Sequence, residues 1–176
     1  MSLFYLLDKN VIRKAISGLV KIGAELAISA EERDSLVLVY QARRFGASLF
    51  MTPESFHVLQ HIPDRPPEVD LILEAVQVIR PGRYFKRWAR RLRKHSFTRE
   101  DAKVLSLGTF GTDKVGSFLG VDTIVTLDLA LINHYNGQFD LLQSRLEAMV
   151  AQLPEPYCYA CLPNVMSPSQ LFRFWH

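Results

Sequence analysis

Leu3-Phe4-Tyr5-Leu6-Leu7-Asp8 reads as an apolar strand that ends on a carboxylate, and Thr123-Ile124-Val125-Thr126-Leu127-Asp128 repeats that pattern far along the chain. Three further short apolar runs, 48–51, 75–79 and 164–166, have the length and composition of buried strands. The stretches between them carry helical periodicity, at 11–28, 31–45, 53–60, 83–94, 99–109 and 129–153, the last with an expected break at Asn136-Gly137. A short helix at 168–175 closes the chain. Strands alternating with amphipathic helices predict βαβ units. The expected fold is therefore α/β, a three-layer sandwich with a central parallel five-stranded sheet and helices on both faces.

The boundaries have mechanical signals of their own. Thr52-Pro53 and Ser167-Pro168 each set a capping hydroxyl before a proline at the first helical position. Thr98-Arg99-Glu100-Asp101 sets a hydroxyl three residues before an acid, as a capping box does. Pro63, Pro66 and Pro67 end one helix and open a loop. No linker divides the chain, so residues 1–176 read as one domain, with the helical pair at 129–153 as an insertion between the last two strands.

Composition narrows the function classes. Hydrophobic residues make up 48% of the 176, enough for a core, and no run reaches the ~20 apolar residues of a spanning helix. The opening Met-Ser-Leu-Phe-Tyr-Leu-Leu-Asp lacks the basic start of a secretory leader. Together with only two cysteines, this sets the expectation of a cytoplasmic protein without membrane contact. The net charge of +3 is unevenly spread: residues 80–95 hold eight of the 21 Lys and Arg and no acid, leaving 13 basic residues against 18 acidic ones elsewhere. A positive element on a mildly acidic body points to an anionic partner.

Asp8 and Asp128 are the candidate chemical pair. In an open parallel sheet, ligands bind beyond the carboxyl ends of the strands, where strand order reverses. If the order is 3-2-1-4-5, the first and fourth strands are neighbours at that reversal and their terminal aspartates face one crevice. Carboxylates so placed share a proton or bind a cation, and oxygen ligands suit Mg²⁺ or Mn²⁺. The competing reading is that each aspartate caps the helix that follows it. Asp101, in the first turn of the helix after Thr98, is open to the same two readings. Thr126, two residues before Asp128, shares its strand face; Asn10 can cap the first helix or hold a metal-bound water. Asp122 precedes its strand and belongs to the wrong end of the sheet.

With those residues in view, Leu7-Asp8-Lys9-Asn10, Phe97-Thr98-Arg99-Glu100-Asp101-Ala102 and Val125-Thr126-Leu127-Asp128 resemble, in order, the first, third and fourth acidic motifs of the PIN domain family. The closing Val165-Met166-Ser167-Pro168 resembles that family's last strand and helix, so the likeness spans nearly the whole chain. PIN domains are mostly metal-dependent ribonucleases, and many bacterial ones are VapC-like toxins of toxin–antitoxin pairs. The resemblance implies an Mg²⁺- or Mn²⁺-dependent endoribonuclease, with metal held by Asp8, Asp101 and Asp128. It also implies RNA as substrate, an antitoxin-like protein partner and a homodimer. The chain departs from the pattern at the second acid, which the family places a turn or so into the helix after the second strand. Here His57 or Val58 falls there, and Glu54, a turn earlier, is the nearest acid. Glu54 is thus the fourth candidate, and its departure leaves a weakened RNA-binding or protein-interaction module as the rival reading. A phosphatase of the haloacid dehalogenase kind needs a second Asp where this chain has Asn10.

The basic segment reads as a helix with Phe85, Trp88 and Leu92 toward the core. Arg83, Arg87, Arg90 and Lys94 form the opposite stripe, flanked by Lys86, Arg91 and Arg93. Charged stripes are commonly solvated faces with snorkelling stems, but an acid-free one suits a phosphate backbone bound through counterion release. Cys158-Tyr-Ala-Cys161 has zinc or redox spacing without a second pair, and its apolar setting predicts buried free thiols. Gly108-Thr-Phe-Gly111-Thr lacks the lysine and spacing of a P-loop.

Overall fold

In a computed structural model, which describes residues 3–175, the chain runs β1 (Leu3–Leu7), α1 (Lys9–Gly23), α2 (Ala30–Gln41), β2 (Ala47–Met51), α3 (Pro53–Gln60), α4 (Pro67–Ala75) and β3 (Gln77–Val78). It continues through β4 (Arg80–Pro81), α5 (Phe85–Arg93), α6 (Arg99–Phe110), β5 (Gly111–Thr112), β6 (Thr123–Val125), α7 (Leu129–Val150), β7 (Asn164–Met166) and α8 (Pro168–Leu171). Met1, Ser2 and His176 lie outside the described residues. The central sheet has the order β3-β2-β1-β6-β7 and every pairing is parallel. Counted along this sheet alone, that is the 3-2-1-4-5 order, with the reversal between β1 and β6.

Strand periodicity sends alternate side chains to opposite faces. Leu6, Phe50 and Ile124 join one core with Trp88, Leu92, Leu105, Tyr135 and Leu146. Tyr5, Leu7, Leu49, Met51 and Val125 join the other with Val11, Ile12, Leu38, Ile72 and Leu171. Helices α5, α6 and α7 thus cover one face, and α1, α2, α4 and α8 the other, which makes the three layers. Two helical glycines set close approaches. A Cβ on Gly108 would come within 2.6 Å of Ile124 Cδ1, and one on Gly18 within 2.7 Å of Leu36 Cδ1. The first allows α6 to sit against β6, the second allows α1 to sit against α2. Those two helices are also joined through Glu32, the N3 residue of the capping box begun by Ser29. Its carboxylate pairs with Lys21 at 2.7 Å and accepts from Ser17 Oγ at 2.6 Å.

Several sequence expectations need correction. The loop after Pro66 is helix α4: Pro67 takes its first turn with Glu68 and Asp70 beside it, while Val69 and Ile72 are buried. The third strand is accordingly shortened to Gln77–Val78. α7 runs unbroken through Asn136 and Gly137, and since β6 and β7 pair in parallel it is their crossover helix rather than an inserted pair. The segment around the cysteines is no strand. Tyr157–Tyr159 forms a 3₁₀ turn, Cys158 is partly exposed and Cys161 is exposed. A two-residue antiparallel ribbon, β4 with β5, had no signal in the apolar pattern. None of the helices among the described residues is long and apolar enough to cross a membrane.

Candidate active site

Asp8 directly follows β1 and is the N-cap of α1, so its carboxylate is fixed at the carboxyl edge of the sheet. One oxygen accepts from the Lys9 N–H at 2.7 Å, and the other from Thr126 Oγ1 at 2.8 Å. Thr126 is fully buried beyond the end of β6, and its oxygen also accepts from Asn10 Nδ2 at 3.2 Å and from the Asp128 N–H at 3.1 Å. Asn10 Oδ1 in turn accepts from the Leu127 N–H at 3.2 Å. Asn10 is therefore a strap between the two strand ends rather than a helix cap. This network joins Asp8 and Asp128 across the topological reversal.

Asp128 is the N-cap of α7, with Oδ1 accepting from the Leu131 N–H at 3.0 Å. Asp101 lies in the first turn of α6, where Thr98 Oγ1 accepts from its N–H at 3.1 Å and donates to its Oδ2 at 2.7 Å. Glu54 lies in the first turn of α3 and pairs with Lys103 of α6 at 2.7 Å. Lys9 makes a second ion pair, with Glu100.

All four sequence candidates, Asp8, Glu54, Asp101 and Asp128, line one cleft of about 980 Å³. As the side chains stand, no three acids, imidazoles or thiols among the described residues are grouped to hold a metal ion. Each of these acids has a local partner: a cap hydroxyl bonds Asp101, an amide bonds Asp128 and an ammonium bonds Glu54. Capping and cleft lining are thus not alternatives here, because Asp8 and Asp128 do both. Val58, 63% exposed, is the cleft residue nearest the place expected for the second acid; His57 is not among the lining residues.

The electrostatics single out Asp8. Burial is the largest influence on it and holds its carboxyl above the ordinary range, with the Asp101 charge acting in the same direction. The bonds from Thr126 and the Lys9 N–H oppose that shift without cancelling it. At Glu54 partial burial also disfavours the charge, but Lys103, helped by a backbone N–H, outweighs it and holds the carboxyl below its usual value. An anion destabilised by desolvation and a like charge gains most from a cation.

Lys9, Arg13 and Lys103 line the same cleft and escaped the sequence reading. The spacing of Lys9 and Arg13, one helical turn apart directly after Asp8, was the available signal. Ile12, Ile16, Val58, Leu59 and Ile62 give the cleft an apolar arm between α1 and α3, for which no motif exists. Of the basic segment, Arg83, Lys86, Arg87, Arg90, Arg93 and Lys94 are exposed and Arg91 is half-buried. None lines the cleft. Among the described residues none of them forms an ion pair. Trp88 and Leu92 are buried and Phe85 packs against the same core, so the stripe faces solvent as expected. α5 packs on α6, the helix that carries Asp101. Asp122 sits at the opposite edge, accepting from the Phe4 N–H at 2.7 Å.

Neither a protein-family model nor a curated protein nor a solved structure matches the chain significantly.

Proposed function

We propose that the protein is a metal-dependent endoribonuclease that hydrolyses RNA phosphodiester bonds in this cleft with Mg²⁺ or Mn²⁺ as cofactor. The observation that carries the reading is Asp8, a carboxylate destabilised by burial and by Asp101, tied through Thr126 to Asp128 at the sheet's reversal point. The donors are all carboxylate oxygens, which fits a hard cation. Asp8, Asp101 and Asp128 would hold it, with Glu54 as a fourth oxygen donor when released from Lys103. Bound there, such a cation lowers the pKa of a water and offsets charge on the phosphate. The chain's own residues do the rest. Thr126 fixes the Asp8 carboxylate, Lys9, Arg13 and Lys103 supply positive charge where the phosphate enters, and the exposed cations of α5 suit the flanking backbone. RNA as the polymer, an antitoxin-like partner and a homodimer rest on the PIN resemblance.

His57 or Val58 at the place of the second acid, and the Glu54–Lys103 pair, favour a second reading: a catalytically weakened RNA-binding or interaction module. Cleavage separates the two. With Mn²⁺ or Mg²⁺ the wild type should cut a labelled single-stranded RNA, and folded Asp8→Asn should not. Wild-type protein that binds the RNA and never cuts it, across metals and substrates, belongs to the second reading.

A further inference from the structure

The end of α3, the helix that lends Val58 and Leu59 to the cleft, carries two imidazoles. His57 is in its last turn and His61 is its C-terminal cap. Spacing of four residues places them on one helix face, and the rings stand with centroids 4.2 Å apart and planes tilted by 37°. Both residues are exposed. His61 Nδ1 lies 2.8 Å from the His57 carbonyl oxygen. A carbonyl only accepts, so Nδ1 carries the proton and the neutral ring keeps its lone pair on Nε2. That backbone bond is the outer-sphere anchor that metal-ligating histidines commonly use. Among the described residues, no hydrogen bond or ion pair engages the His57 ring.

We propose that His57 and His61 form a bidentate site for a borderline transition-metal ion, Zn²⁺, Ni²⁺ or Cu²⁺. Imidazole nitrogen selects these over Mg²⁺ and Mn²⁺, so the site is chemically distinct from the carboxylate cleft. No third acid, imidazole or thiol among the described residues joins the pair, so water completes the coordination. The carboxyl end of α3 adds a favourable dipole. Arg65, four residues beyond His61, reaches the Gln60 carbonyl at 3.4 Å and is offset by Asp70 at 2.7 Å. A metal held by both rings would tie together the last turn of α3, which also carries Val58 and Leu59 of the cleft lining.

The test uses untagged, full-length protein with nickel or zinc chloride, followed by calorimetry and thermal melting. Beyond the ion that the carboxylate cleft takes up, the wild type should bind one at the imidazole pair, and at a hundredfold excess over that site's Kd its Tm should rise by about 5–10 °C. His57→Ala and His61→Ala should each weaken nickel binding by roughly tenfold or more, since even loss of an outer-sphere partner costs that much. His61→Gln, which keeps a hydrogen-bonding side chain, serves if the alanine variant does not fold. Asp8→Asn, which removes a cleft carboxylate, should keep the ion that the histidine variants lose. Equal nickel binding with and without either histidine substitution in the Asp8→Asn background overturns the proposal, as does loss of all nickel binding in Asp8→Asn alone.

Discussion

Thr126 concentrates the site's order in one hydroxyl, which donates to Asp8 and accepts from Asn10 and the Asp128 amide. Thr126→Val keeps the shape and leaves these groups without their partner. The expected cost is about 1–3 kcal/mol by urea denaturation, with most of it restored in Thr126→Ser. At this scale the acids were legible because Asp8 and Asp128 end apolar strands and Asp101 follows a capping threonine. Their neighbours were less so. Whether a carboxylate keeps a free oxygen depends on long-range partners such as Lys103, 49 residues beyond Glu54. The cysteines were misplaced because an apolar tetrapeptide between prolines has no period that separates a strand from a 3₁₀ turn.

Helix α5 owes its position to Trp88 and Leu92 and leaves its cations to solvent. If they bind an RNA backbone, Arg87→Gln with Arg90→Gln should weaken binding about equally for unrelated sequences. The slope of log affinity against log salt should flatten by ~1–1.5, or about 0.7 per lost phosphate contact. A salt titration of both proteins on one labelled RNA measures it; coincident slopes make the stripe a solvated surface. Element boundaries show where local signals yield to packing. Asn136-Gly137 suggested a break in α7, yet Leu131, Tyr135, Leu142, Leu146 and Met149 bury one continuous face. That burial outweighs the roughly 1 kcal/mol cost of a helical glycine. α4 was hidden in the opposite way, its prolines being read as loop although Pro67 occupies the first turn, where proline is tolerated.

Across the whole molecule, the parallel sheet and its two covered faces follow from strands that are apolar on both sides and alternate with helices. The ribbon of β4 and β5 was not readable, since two-residue strands carry no pattern. One buried acid gives the fold a pH dependence. Glu32 is 3% exposed, and Lys21, Ser17 and the Ser29 amide hold its pKa down to about 2. A depressed folded pKa stabilises above the unfolded value of about 4.3 and loses that contribution as pH falls toward the folded one. The Tm gap between wild type and Glu32→Gln should therefore be widest near neutrality and shrink as acid is added; a gap independent of pH contradicts this. As proposed, Asp8, Asp101 and Asp128 act together on a hard cation. Manganese binding, followed by electron paramagnetic resonance, tests it most directly. The wild type should take up Mn²⁺, with affinity reduced roughly tenfold or more in folded Asp8→Asn and Asp128→Asn and unchanged in His57→Ala. Manganese bound equally by wild type and the two aspartate variants would mean that these carboxylates hold no cation.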